Sequence, residues 1–231
     1  MAIHVTDDPA VIVVNVMDFG KAVGDSFAYA QEGLVGKWVK WILLIISCII
    51  FPLIMGYIIR IFKGTNPSPE LENWGGLFID GIKLFIVGLI YAIPIIILEV
   101  IAMGAIIGGA MTGDSTAMVA ALAGAGLVFL VLVVVAIIIG LITATAYVRF
   151  ARMDSFGEAF NFSAIFAHIG KIGWVTYIIA LIIIGVILGI VEVVCMIIPF
   201  IGILILLIIA PFIVLFYARY LTLLYDSAGS A

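Results

Sequence analysis

Two carboxylates set inside long apolar runs are the residues best placed to do chemistry in this chain. Ile97-Leu98-Glu99-Val100-Ile101-Ala102-Met103 aligns without gaps on Ile190-Val191-Glu192-Val193-Val194-Cys195-Met196. A carboxylate in hydrocarbon is costly, so it faces a partner or water, and its default reading is functional. Two at matched depth could share a proton or coordinate a cation. The plainer reading puts each close enough to the outer interface to reach water, or keeps it neutral and hydrogen-bonded to a Tyr or Thr. The sequence leaves both readings of Glu99 and Glu192 open.

Three arginines form the second constellation. Tyr57-Ile58-Ile59-Arg60, Tyr147-Val148-Arg149 and Tyr217-Ala218-Arg219 each close an apolar segment. Arg60, Arg149 and Arg219 read either as a basic interfacial face for phosphate or lipid headgroups or as ordinary flanking anchors behind interfacial tyrosines. Asp80 and Lys83 lie one turn apart and are expected to pair. His4 falls in the N-terminal lead-in and His168 in a surface helix, where it reads as a polar-face residue. No zinc-type His-Glu-x-x-His, no Gly-x-Ser-x-Gly elbow and no phosphate-cradling glycine loop is present, so neither catalysis nor a cofactor or metal site is expected. Cys48 and Cys195 both sit in apolar runs and read as small buried hydrophobes. Nucleic-acid binding has no basic stripe with interleaved aromatics to support it.

The elements that must position these residues follow from composition. Of 231 residues, 66% are apolar and 10% charged, against about 45–50% and about 25% in a soluble domain. Fourteen acidic and ten basic residues cannot coat a soluble surface of this size. Residues 84–111 carry one charge, 127–148 none, and 172–217 only Glu192. Runs of about 18 or more apolar residues predict spanning helices. The start of the chain, with Asp7, Asp8 and Pro9 and no basic residue, does not read as a cleavable signal, so the first apolar segment is expected to direct insertion.

A pattern recurs along the chain. Asp18-Phe19-Gly20, Asn73-Trp74-Gly75 and Ser155-Phe156-Gly157 each set a capping residue before an aromatic and a glycine. Asp, Asn and Ser accept hydrogen bonds from the free amides of a first helical turn, and Ser155 with Glu158 has capping-box spacing. The three are expected to open helices that lie at the membrane surface. With the three Tyr-Arg exits they predict a tandem three-unit repeat, units 18–63, 73–152 and 154–225, in one transmembrane domain over 18–231 after a lead-in of 1–17. Unit two is expected to span over 82–103 and to return to Arg149 after a loop around Thr112-Gly113-Asp114-Ser115-Thr116. Unit three is expected to span over 172–194 and 203–220, joined at Ile198-Pro199-Phe200. Unit one is shorter. Its segment 37–62, about 39 Å as a single helix, suits one tilted span or a re-entrant hairpin turning near 47–52. The hairpin sets all basic residues on one face, as the positive-inside rule prefers, and Pro52 supplies either a break or a kink.

At Pro69-Glu70-Leu71-Glu72-Asn73-Trp74-Gly75-Gly76-Leu77-Phe78-Ile79-Asp80-Gly81, continuing to Gly88-Leu89-Ile90-Tyr91-Ala92-Ile93-Pro94, the chain resembles the largely archaeal membrane proteins catalogued as domain of unknown function 4013. Gly56-Tyr57-Ile58-Ile59-Arg60 is similar to that family's exit from its first apolar segment. The specific match covers about residues 50–95. The resemblance implies a prokaryotic integral membrane protein and carries no activity or site residues with it.

The resulting expectation is an all-α transmembrane bundle of four to five spanning helices plus amphipathic surface helices. It would be a multi-pass protein of the cell membrane with its basic flanks cytoplasmic. A non-enzymatic assembly or scaffold subunit is the leading function, contacting itself or other membrane proteins. Small-residue pairs at Gly104/Gly108 and Ala120/Gly124 allow close helix approach within one subunit or between subunits. The alternative is a small transporter or channel using Glu99 and Glu192. A membrane enzyme acting on lipid headgroups comes third.

Overall fold

The computed structural model describes residues 17–197 and 201–229, and within them the regular structure is entirely helical. The lead-in, with His4, and the join at Ile198-Pro199-Phe200 lie outside the described residues. Helix α1 (Phe19–Leu34) begins where Asp18 accepts a hydrogen bond from the Lys21 amide. Ala22, Ser26, Tyr29, Ala30 and Gly33 bury one stripe of it against α8 (Ile201–Asp226). Lys21, Asp25 and Glu32 stay exposed, as an amphipathic surface helix requires.

The segment with two readings forms two 12-residue helices, α2 (Trp38–Ile49) and α3 (Phe51–Phe62), bent by 119° at Ile50. Pro52 stands in the first turn of α3, where a missing amide costs no helical hydrogen bond, so it starts a helix rather than kinking one. Each arm is about 18 Å long. Both free ends reach the same loop: Lys40 on α2 binds the Glu70 carboxylate at 3.2 Å, and Arg60 on α3 donates to the Glu70 carbonyl at 3.1 Å.

Helices α4 (Trp74–Met111) and α5 (Ser115–Met153) form a long antiparallel hairpin, each about 57–58 Å along its axis. Asn73 caps α4 by accepting from the Gly76 amide, and Asp114 caps α5 by accepting from the Thr116 amide. The surface start expected at Asn73-Trp74-Gly75 is the first turn of α4 itself. The cap at Asn73 opens directly into the long helix, because nothing between Trp74 and Leu84 breaks the helical hydrogen bonds.

The third expected cap is corrected. Ser155 makes no side-chain cap, and a 3-10 turn (Phe156–Phe160) follows it. Glu158 is taken by Arg149 instead, since a guanidinium binds a carboxylate more strongly than a backbone amide does. Asn161 caps the short helix α6 (Phe162–Ile172), which leads through Gly173 into α7 (Trp174–Met196) and then α8. Among the described residues four helices, α4, α5, α7 and α8, are long and apolar enough to cross a membrane; the bent α2–α3 pair would make a fifth if counted as one span.

The packed core lies toward one end of this bundle. Tyr57, Phe62, Leu77, Ile165, Ile169, Tyr177, Leu215 and Tyr220 are fully buried. On α4 no residue between Tyr91 and Gly109 is buried, and on α5 none between Ala125 and Ala144. Such bare apolar surface is what a helix facing lipid presents. Where α3 crosses α4, two glycines let the backbones touch: a β-carbon on Gly56 would stand 1.9 Å from the Leu77 carbonyl oxygen, and one on Gly81 would stand 1.7 Å from that of Pro52.

Candidate functional site

Glu99 lies about 23 Å along α4 from Leu84, where the charged first turns give way to apolar sequence; Glu192 lies about 27 Å along α7 from Trp174. In a hydrocarbon layer of about 30 Å, both approach the far boundary. Both are exposed, and neither makes a hydrogen bond or ion pair among the described residues. Glu192 borders a cleft of about 290 Å³ with Leu188, Val191, Leu206 and Ile213. Helix α4 packs chiefly on α3 and α5, and α7 on α8 and α6, so the two carboxylates belong to different helix pairs.

Of the three arginines only Arg60 closes its helix as expected; Arg149 stands four residues before the end of α5 and Arg219 seven before the end of α8, because both helices run on past their Tyr-Arg motifs, and each arginine makes a separate local contact. Arg60 donates to the carbonyls of Glu70 and Glu72 and so ties the loop after α3 to its own helix. Arg149 donates from Nε to Glu158 Oε2 at 2.7 Å. Arg219 lies over the Tyr29 ring, 5.0 Å from its centroid, joining α8 to α1 by a cation–π contact. Asp80 and Lys83 pair at 2.9 Å, as their spacing predicts.

Two basic residues without a distinctive sequence signal carry more of this end. Lys40 is only 5% exposed, and its three donors meet three acceptors: the Ser68 carbonyl, the Ser68 hydroxyl and Glu70. Full pairing is what makes a buried ammonium tolerable. Arg152 donates from Nε to the Phe62 carbonyl at 2.6 Å, capping the end of α3, and from one terminal nitrogen to both Asp226 oxygens at 2.7 and 2.8 Å. Sequence spacing could not reveal either, because each partner lies on a different element.

Buried tyrosines join the spans at this end. Tyr91 donates to the Ala159 carbonyl, Tyr220 to that of Ala180, and Tyr177 to that of Leu141 while accepting from the Thr145 hydroxyl. In a bilayer these contacts replace the missing hydrophobic drive between helices.

A cleft of about 750 Å³ opens between the C-terminal ends of α5 and α8 and one flank of α6. Arg149, Arg152, His168, Lys171, Tyr225 and Asp226 line it. His168 lies within 2.9 Å of the Tyr225 carbonyl through Nε2 and stacks on the Tyr225 ring at 3.7 Å. A carbonyl can only accept, so Nε2 carries the proton. Burial pushes the His168 pKa below its ordinary 6.5. The Arg149 guanidinium holds Glu158 below its ordinary 4.5 by hydrogen bonding, with a further bond from Asn161. Among the described residues no three His, Cys, Asp or Glu side chains gather as a metal site.

Long apolar helices, bare outer surfaces and tyrosine ties between spans define a multi-pass helical membrane protein. The family described as protein of unknown function (DUF4013) matches residues 41–200, and the chain belongs to it. That match runs well beyond residues 50–95 and leaves α1 and α8 outside. No curated protein and no solved structure matches the chain.

Proposed function

We propose that this protein is a non-enzymatic assembly subunit of the membrane, packing its α4–α5 hairpin laterally against a second copy or another membrane protein. One observation carries the reading. Gly104, Gly108, Ala120 and Gly124 are exposed, and a β-carbon on any of the three glycines would meet nothing within 4 Å. The hairpin closes on itself elsewhere, where Gly109 faces the Ala121 methyl. The small-residue pairs are therefore left for a neighbour, and small residues let helix backbones approach closely in lipid. The basic end faces the cytoplasm by the positive-inside rule, and α2–α3 enters and leaves the membrane on that side. The entry and Tyr-Arg motifs recur in one order along the sequence, and two of the three entries, at Asp18 and Asn73, cap helices, which supports descent from a repeated unit.

The test is stoichiometry in native-like lipid, read by native mass spectrometry or stepwise photobleaching. Oligomers or a stable co-purifying membrane partner are expected, and Gly108→Leu with Gly124→Leu should dissociate them without loss of helicity. A monomer with no co-purifying partner overturns the reading.

The bent α2–α3 pair favours a second reading, a small transporter or channel, since non-helical backbone at membrane depth requires protein or a water-filled cavity around it. That reading predicts pH-dependent ion flux in liposomes, lost in Glu99→Gln and Glu192→Gln. Equal flux in wild type and the double variant removes the glutamates from it.

A further inference from the structure

We infer that the cleft between α5, α6 and α8 binds the phosphate of an anionic lipid headgroup, with Lys171, Arg149 and Arg152 as its cationic lining. The inference stands apart from the assembly reading and uses none of its residues.

Helix α6 has three flanks with different tasks. Ile165, Ile169 and Ile172 are buried in the core. Phe162 and Phe166 are exposed on a second flank, and Trp174 follows just beyond the helix with its ring 6.0 Å from that of Phe166. Exposed aromatics of this kind sit at the level of lipid headgroups. Ala164, Ala167, His168 and Lys171 form the third flank, at spacings of three and four residues, and turn into the cleft. The two alanines leave room, and the two polar residues give the cleft its chemistry. A cleft beside the aromatic flank of a surface helix therefore lies at headgroup depth.

The charge in the cleft matches a phosphate. Three cations, Arg149, Arg152 and Lys171, stand against two carboxylates, Asp226 in the lining and Glu158 paired with Arg149, which leaves one net positive charge. Lys171 is exposed and has no ion-pair partner among the described residues. Each arginine has five N–H donors. Arg149 directs Nε and one terminal nitrogen to Glu158, and Arg152 directs Nε to Phe62 and one terminal nitrogen to Asp226. The other terminal nitrogen of each makes no hydrogen bond among the described residues. Asp226 is half exposed and accepts hydrogen bonds, which suits a headgroup that carries hydroxyls beside its phosphate, such as phosphoglycerol. A cleft of about 750 Å³ falls within the range of about 300–1,000 Å³ typical of ligand sites. A free phosphate ion offers the same acceptor oxygens but has no use for the aromatic flank.

The experiment measures binding of dioctanoyl phosphatidylglycerol to the full-length protein in a neutral detergent. Dioctanoyl phosphatidylcholine and inorganic phosphate serve as competitors. Phosphatidylglycerol is expected to bind and to resist both at equal concentration. Lys171→Gln should weaken it about fivefold, the weight of one basic side chain beside an anionic headgroup. Ala167→Trp should abolish binding by filling the cleft, while Lys21→Gln, an exposed lysine on α1, should leave it unchanged. Lys171 and Ala167 are both exposed, so folding is preserved and is checked by gel filtration. An equal loss in Lys21→Gln, or unchanged binding in both cleft variants, overturns the site. Displacement by inorganic phosphate at equal concentration assigns the cleft to the free anion and overturns the lipid.

Discussion

Glu158 shows how a single contact can replace the role its spacing implies. Its carboxylate lies against Arg149, and that hydrogen bond depresses its pKa below 4.5. A group with a depressed folded-state pKa contributes stability that is fully present above the unfolded value and lost as pH falls through the folded one. Wild type should therefore melt above Glu158→Gln at neutral pH, and the gap should close as the pH drops below 4.5. Thermal unfolding in detergent across that range checks it; a gap independent of pH would leave the pair without a role. His168 follows the same sign for a different reason. Burial disfavours its cation, so its contribution is complete above 6.5 and declines below that.

At the scale of elements, the crossing of α3 and α4 depends on two positions without side chains. Any β-carbon on Gly81 would overlap the Pro52 carbonyl, and the backbones would have to separate. Gly81→Val is expected to cost about 3 kcal/mol or to prevent folding, at the upper end of overpacking penalties. Gly185→Val on α7 meets nothing within 4 Å and should be nearly neutral. Denaturation in mixed micelles followed by circular dichroism separates the two. The recurring caps were legible at Asp18 and Asn73 because capping needs only the cap residue and the next turn. Ser155 failed that test because its turn is also contacted by α4 and α5.

For the whole molecule, the bend at Ile50 decides how the chain threads. Exposed Glu32 precedes the α2–α3 pair and exposed Glu72 follows it. With Cys48 and Cys195 replaced by Ala, Glu32→Cys and Glu72→Cys should react with a membrane-impermeant thiol reagent from the same side, and Asp114→Cys from the other. Labelling of Glu32→Cys and Glu72→Cys from opposite sides would make the pair a single crossing. The two 12-residue arms are each too short for a layer of about 30 Å, and Lys40 and Arg60 hold the same loop.

The sequence by itself determined that this is a helical membrane protein, where its long apolar helices run, and that Asp18 and Asn73 cap helices. Those properties follow from transfer of apolar residues into lipid and from hydrogen bonds within one or two turns. Only the tertiary structure decided that Pro52 starts a helix, that Lys40 is buried against Ser68 and Glu70, that Gly104 and Gly108 face outward, and that Arg149, Arg152 and Lys171 share a cleft. The burial of Lys40 and the shared cleft join residues from different elements, the bend and the outward glycines depend on which elements pack beside them, and sequence spacing carries no record of which helix flanks will meet.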